Sequence, residues 1–130
     1  MLKAGILNPA VLSLLARVRH TNMLVIADRG FPFWPQIETV DLALVDDLPT
    51  VLQVLKAVRG HAVFGRAYMA EEFLAANTGR TKGLFKTALV GIPLTYEPHE
   101  EKFKKRVPAA IGLIRTGDTT QYANIILVSA

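Results

Sequence analysis

The chain has 130 residues, 51% of them hydrophobic and 20% charged, with no cysteine and a formal net charge of +4. That balance describes a globular chain long enough for one domain with a real core, and it excludes disulfides, thiolate metal sites and thiol nucleophiles. The only dense basic cluster, Lys102, Lys104, Lys105 and Arg106, reads as a solvated helix face and not as a nucleic-acid patch.

The N-terminal run from Ala4 to Ala16 is apolar but is interrupted by Asn8-Pro9 and followed by Arg17 and Arg19. It therefore reads as a helix start and not as an export signal. Asn8 is a good N-cap and Pro9 suits the first helical position, which predicts a helix to about Val18. Met23 to Ala27 is a short apolar strand, and an irregular segment from Asp28 to Pro35 follows. Val40 to Val45 reads as a strand. Leu48 to Val58 has helical spacing, with Gly60 as its stop.

Ala62 to Met69 is the next strand, and Ala70-Glu71-Glu72 opens a helix that Thr78-Gly79-Arg80 punctuates before Leu84 to Leu89. Ile92 to Tyr96, Ala110 to Arg115 and Tyr122 to Val128 read as three more strands, with a short helix after His99. Strands alternating with helices predict a three-layer α/β domain over residues 1–130, built on a largely parallel sheet of about six strands. No apolar stretch approaches bilayer length, so the expected setting is the cytoplasm, with neither membrane nor nucleic acid as partner.

His20 and Asp28 bracket the first strand and are the leading candidates for chemistry. An imidazole exchanges protons near neutral pH, and a carboxylate accepts hydrogen bonds from hydroxyls. At about 3.3 Å per residue, Met23 to Asp28 spans on the order of 17 Å. Unless the chain doubles back at Thr21-Asn22, the two side chains cannot line one pocket of one subunit. A pocket using both takes His20 from one chain and its other groups from a neighbour.

Phe31, Phe33 and Trp34, stiffened by Pro32 and Pro35, form either an apolar wall for a carbohydrate pocket or a cover for the sheet edge or another subunit. His61, at a helix end, reads as structural or exposed. His99 lies at a strand-to-helix junction, where ligands of α/β sheets gather. The three histidines lack metal-ligand spacing. In the polar run Arg115 to Asn124, Tyr122 and Asn124 sit two apart at a strand start, which puts a phenol and an amide on one face. That pair suits hydroxyl recognition.

Together, Gly5-Ile6-Leu7-Asn8, His20-Thr21 with Val25-Ile26-Ala27-Asp28, Asp41-Leu42-Ala43-Leu44, Ala70-Glu71-Glu72, Pro98-His99-Glu100-Glu101, and Arg115-Thr116-Gly117 leading to Tyr122-Ala123-Asn124 resemble the D-ribose pyranase and L-fucose mutarotase family, the ribose branch above all. The resemblance implies a ring-shaped homo-oligomer, decameric, with pockets near subunit contacts. It implies cofactor-free interconversion of cyclic forms of a monosaccharide, with His20 as catalytic acid/base. Asp28, His99 and the segment Tyr122, Ala123 and Asn124 would then bind the substrate. The chain departs from the family at Arg19, at Arg29-Gly30 and in its aromatic loop. It also carries one residue more between His99 and Phe103, which leaves either His99 or Glu100 at the binding position. Two other readings share these residues: a non-catalytic monosaccharide-binding protein associated with uptake, and an assembly protein whose aromatic loop is an interface.

Overall fold

The computed structural model describes residues 1–130. Six strands form one sheet in the order β2-β5-β1-β6-β3-β4. The strands are β1 (Met23–Ala27), β2 (Glu38–Asp41), β3 (Phe64–Ala70), β4 (Leu94–Glu97), β5 (Gly112–Arg115) and β6 (Ile125–Ser129). β1, β2 and β5 pair in parallel, as do β3 and β4. β6 runs antiparallel to both β1 and β3 and joins the two parallel groups. The expected α/β fold with a largely parallel sheet is the one observed.

The central strands read as unbroken apolar runs because both faces of the sheet are covered. Leu24 and Ile26 of β1 enter the larger core cluster, while Val25 and Ala27 enter the smaller one on the other face. Helices α1 (Pro9–Arg17), α2 (Val51–Arg59), α3 (Glu72–Ala76) and α4 (Gly79–Ala88) supply the larger cluster through Leu14, Leu55, Phe73 and Phe85. The opposite layer is thin. It consists of a π turn (His99–Phe103), the single helical turn α5 (Lys104–Arg106), a 3-10 turn (Val107–Ala109) and the aromatic loop.

Helix starts follow their caps. The Asn8 side-chain oxygen accepts from the Val11 N–H at 3.0 Å, with Pro9 inside the first turn. α2 begins at Val51 and not at Leu48, because Thr50 and Gln53 form a reciprocal capping box there. Thr78 caps α4, so the segment after Glu71 is two helices and not one interrupted helix.

The bounds of β3, β4 and β5 shift by one or two residues from the expectation, and two strands differ more. β2 ends at Asp41 instead of Val45, where the Asp41 carboxylate turns the chain by accepting the Ala43 N–H. β6 begins at Ile125 instead of Tyr122, because Tyr122 adopts a left-handed backbone with φ 56°. Since β6 opposes the other strands, its start lies beside the carboxyl ends of its neighbours β1 and β3. That edge is where open α/β sheets gather ligands.

Candidate active site

The site is assembled from three chain turns at that edge. Asp28 follows β1 directly, and its Oδ1 accepts the Gly30 N–H at 3.0 Å, so the chain folds back over its own strand end. Asn124, the last residue before β6, accepts the Asp28 backbone N–H on its side-chain oxygen at 2.8 Å. The amide locks the β6 start to the β1 end. Burial pushes the Asp28 carboxyl above the usual aspartate range, against the opposing pull of hydrogen bonds from Gly30, Asn124 and Phe31.

His99 enters from the end of β4. Its ring stacks on Phe103 (centroids 5.6 Å apart) and meets Tyr122 and Phe31 edge-on at 5.1 and 6.1 Å. Only 8% of the residue is exposed, and its Nδ1 is buried with no protein partner. Burial holds the imidazole below the ordinary histidine range, and the nearby Lys104 ammonium adds to this. A neutral imidazole offers one donor and one acceptor nitrogen. Both Glu72 carboxylate oxygens lie 3.1 Å from the His99 backbone nitrogen and accept its N–H, which fixes the turn that carries the ring.

Residues His99–Phe103 form a π turn, in which the Phe103 N–H reaches back to the Pro98 carbonyl at 3.0 Å. The two neighbours face different ways. His99 faces the cavity, while Glu100 is 72% exposed and pairs with Lys104 at 2.6 Å.

Asp28, Gly30, Phe31, Pro32, His99, Lys104, Gln121, Tyr122 and Asn124 line an open cavity of about 330 Å³. Aromatic faces and edges with a carboxylate, an amide, a phenol and an imidazole suit a small polyhydroxylated ring. No cluster of three or more His, Asp or Glu side chains is arranged to hold a metal.

Asp28, His99, Tyr122 and Asn124 therefore converge as the sequence suggested, but the reason differs for the last two. They share the cavity through the left-handed Tyr122 backbone and not through strand alternation. Ala123 stays apart, with its methyl fully buried in the larger core. His20 also stays apart. It lies in the exposed turn before β1, where the Thr21 N–H donates to the Ser129 carbonyl at the far end of β6. His20 and Asp28 thus stand at opposite ends of one strand.

Five lining residues carry no individual assignment from the sequence, Pro32 among them as part of the aromatic loop. Gln121 was one polar residue among many. Phe31 was undivided from its loop, whose rings in fact separate: Phe31 is buried, Trp34 packs on the smaller core cluster, and Phe33 is 76% exposed. Gly30 contributes only backbone, so its side chain carried no signal. Lys104 had been read as part of a solvated face, but it turns to the cavity. Of the same cluster, Arg106 lies 3.9 Å over the Tyr68 ring and grips Glu97 at 2.7 and 2.8 Å. His61 is exposed, as expected, yet its Nε2 accepts the Ile6 N–H at 3.3 Å and its Nδ1 faces the Ala57 carbonyl at 3.1 Å. It ties the N-terminal segment to α2.

The polar run around Gly117 is used up in scaffolding. Thr116 Oγ1 donates to the Ala27 carbonyl, and the Asp118 carboxylate accepts from Val51 and Thr120. A Cβ at Gly117 would lie 2.2 Å from the Val45 carbonyl oxygen, so only glycine fits where these loops cross.

Comparison with known proteins agrees with this fold. The RbsD / FucU transport protein family matches residues 1–130. A D-ribose pyranase of Geobacillus thermodenitrificans is 41% identical over 129 residues, covering 99% of this chain and 96% of its own. One from Chromobacterium violaceum is 40% identical, covering 99% of this chain and 97% of its own. The structure of Bacillus subtilis RbsD complexed with D-ribose superposes with a TM-score of 0.92 at 32% identity, over 100% of this chain and 98% of that one. The fucose mutarotase of Streptococcus pneumoniae, solved with L-fucose, shares the fold with a TM-score of 0.80 at 20% identity, over 95% and 92% of the two chains. With a match from end to end in sequence and in fold, this chain belongs to the RbsD/FucU family.

Proposed function

We propose that this cavity binds a small aldose, ribose-like in preference to fucose-like, and that ring opening there proceeds by general acid–base catalysis. The chain is a sugar-ring isomerase of the D-ribose pyranase and fucose mutarotase kind. The convergence of Asp28, His99, Tyr122 and Asn124 on one cavity is the observation that carries the reading.

The reaction moves protons only. The anomeric hydroxyl loses a proton, the ring oxygen gains one, and the ring opens to a carbonyl. Reclosure by the same hydroxyl on the other carbonyl face exchanges anomers, and reclosure by a different hydroxyl exchanges pyranose for furanose. Neither step needs an electron carrier or a covalent nucleophile, so no cofactor is required. The Asp28 carboxylate accepts sugar hydroxyls, and the Asn124 amide and Tyr122 phenol complete the grip. The unpartnered His99 Nδ1 is a further hydroxyl partner, and Ala123 contributes through its backbone.

His20 acts as the catalytic acid/base, supplied by a neighbouring subunit, since its own strand holds it away from its own Asp28. A ring-shaped homo-oligomer, decameric, provides that contact. Exposed Phe33, Leu44 and Val45, at 61–76% exposure on the cavity side of the sheet, are apolar surface that a neighbour would cover. No helix is long and apolar enough to cross a membrane, and the absence of cysteine suits the reducing cytoplasm. NMR saturation transfer between ring forms of ribose, at protein far below sugar concentration, tests the reading. Accelerated exchange supports catalysis, whereas binding without acceleration identifies a sugar-binding protein instead.

A further inference from the structure

A second cavity, of about 350 Å³, lies against the sugar cavity of about 330 Å³. Phe31 and Pro32 line both, so one ring and one proline form the wall between them. Pro32 is exposed at the rim, whereas Phe31 is 8% exposed and closes the deep part. Its ring is held on three sides, edge-on to Phe103 at 6.3 Å and to His99 at 6.1 Å, and tilted against Trp34 at 6.2 Å.

The second cavity has the makings of a polyol subsite. Ala27 and Leu113 give it an apolar floor. The Asp41 carboxylate, 3.0 and 3.2 Å from the Arg115 guanidinium, borders it. Thr39 also lines it, with a hydroxyl that is buried and has no partner. Apolar surface with a few fixed donors and acceptors is what binds a sugar ring.

We infer that Phe31 is the specificity-determining residue of the site: its ring ends the cavity after one small monosaccharide, and its removal joins the two cavities into a site for a larger reducing sugar. The inference rests on the proposed ring-opening reaction. Size selection by a hydrophobic wall is worth about 10- to 200-fold per added group, so shaving the wall moves a ratio of rates and not one rate alone.

The experiment measures kcat/KM for ring-form exchange of D-ribose and of a reducing disaccharide, in the wild-type oligomer, Phe31→Ala and Phe31→Leu. The expected result is a rise of about tenfold or more in the disaccharide-to-ribose ratio for Phe31→Ala, with Phe31→Leu intermediate. If Phe31→Ala does not fold, a rise of about threefold or more in Phe31→Leu carries the same meaning. An unchanged ratio in folded variants of a wild type that exchanges ribose overturns the inference alone. A wild type that exchanges no aldose overturns the proposed reaction and the inference together.

Discussion

The separation of His20 from Asp28 makes a quantitative prediction about mixed oligomers. β1 holds five residues between the two turns, and its register with β6 pairs Met23 with Val128 and Ile26 with Ile125. Asn124 binds the Asp28 end of that ladder and Ser129 the Thr21 end, so the strand cannot fold back to bring the ends together. His20→Ala removes an exposed imidazole and should leave stability within about 0.5 kcal/mol. Losing the acid/base should lower exchange by about 10²- to 10⁴-fold. Asp28→Asn keeps the shape but removes the charged acceptor, which costs about 1.5–3 kcal/mol of sugar binding, or roughly 10- to 150-fold in affinity. Each variant alone is therefore close to inactive. When the two are coexpressed, a site with both native residues needs His20 from one variant and Asp28 from the other. Random assembly through one repeated heterologous contact yields such sites at about a quarter of positions. Saturation transfer on the mixed oligomer, isolated through two tags, should recover about a quarter of wild-type exchange at ribose well below KM. Recovery no greater than the sum of the single variants would refute the shared site.

Other outcomes follow from the same geometry. Because burial lowers the folded-state His99 pKa, the unfolded chain binds more protons, so the His99 contribution to stability is present above the ordinary histidine value of about 6.5 and is lost as pH falls through the lowered folded value. The melting temperature of the wild type should accordingly drop more steeply than that of His99→Phe between about pH 7 and about pH 5, and parallel curves would contradict a neutral buried imidazole. Glu72→Gln weakens the hold on the His99 N–H while leaving every cavity-lining side chain intact. It should raise KM for ribose about threefold to tenfold with kcat nearly unchanged, read from the concentration dependence of exchange, and an unmoved KM would remove Glu72 from positioning. Gly117→Ala forces a methyl against the Val45 carbonyl oxygen. It should cost about 1–3 kcal/mol in denaturant unfolding, and an unchanged midpoint would show that the loop crossing relaxes freely.

Much of this molecule is written locally. Asn8-Pro9 starts a helix by supplying a cap and removing an unneeded donor, and it does so wherever the segment is placed. The apolar run Met23 to Ala27 demands burial on both faces, so a central strand follows from composition alone. Asp28 and His99 were legible as site residues because polar groups just past buried strand ends fall at a ligand-binding edge. What local pattern cannot express is the relation between distant turns. Tyr122 and Asn124 reach the cavity through a left-handed backbone that the packing of three strand ends imposes, and strand alternation plays no part in bringing them there. Lys104 looked like solvated charge until the π turn rotated it toward His99. Phe31 became a wall between two cavities only when its loop packed against Phe103, which lies 72 positions further along the chain. Cap and burial preferences act over a few residues and are fixed by side-chain chemistry. Cavity walls are set by contacts between segments far apart in sequence, and those exist only once the sheet has brought its strand ends to one edge.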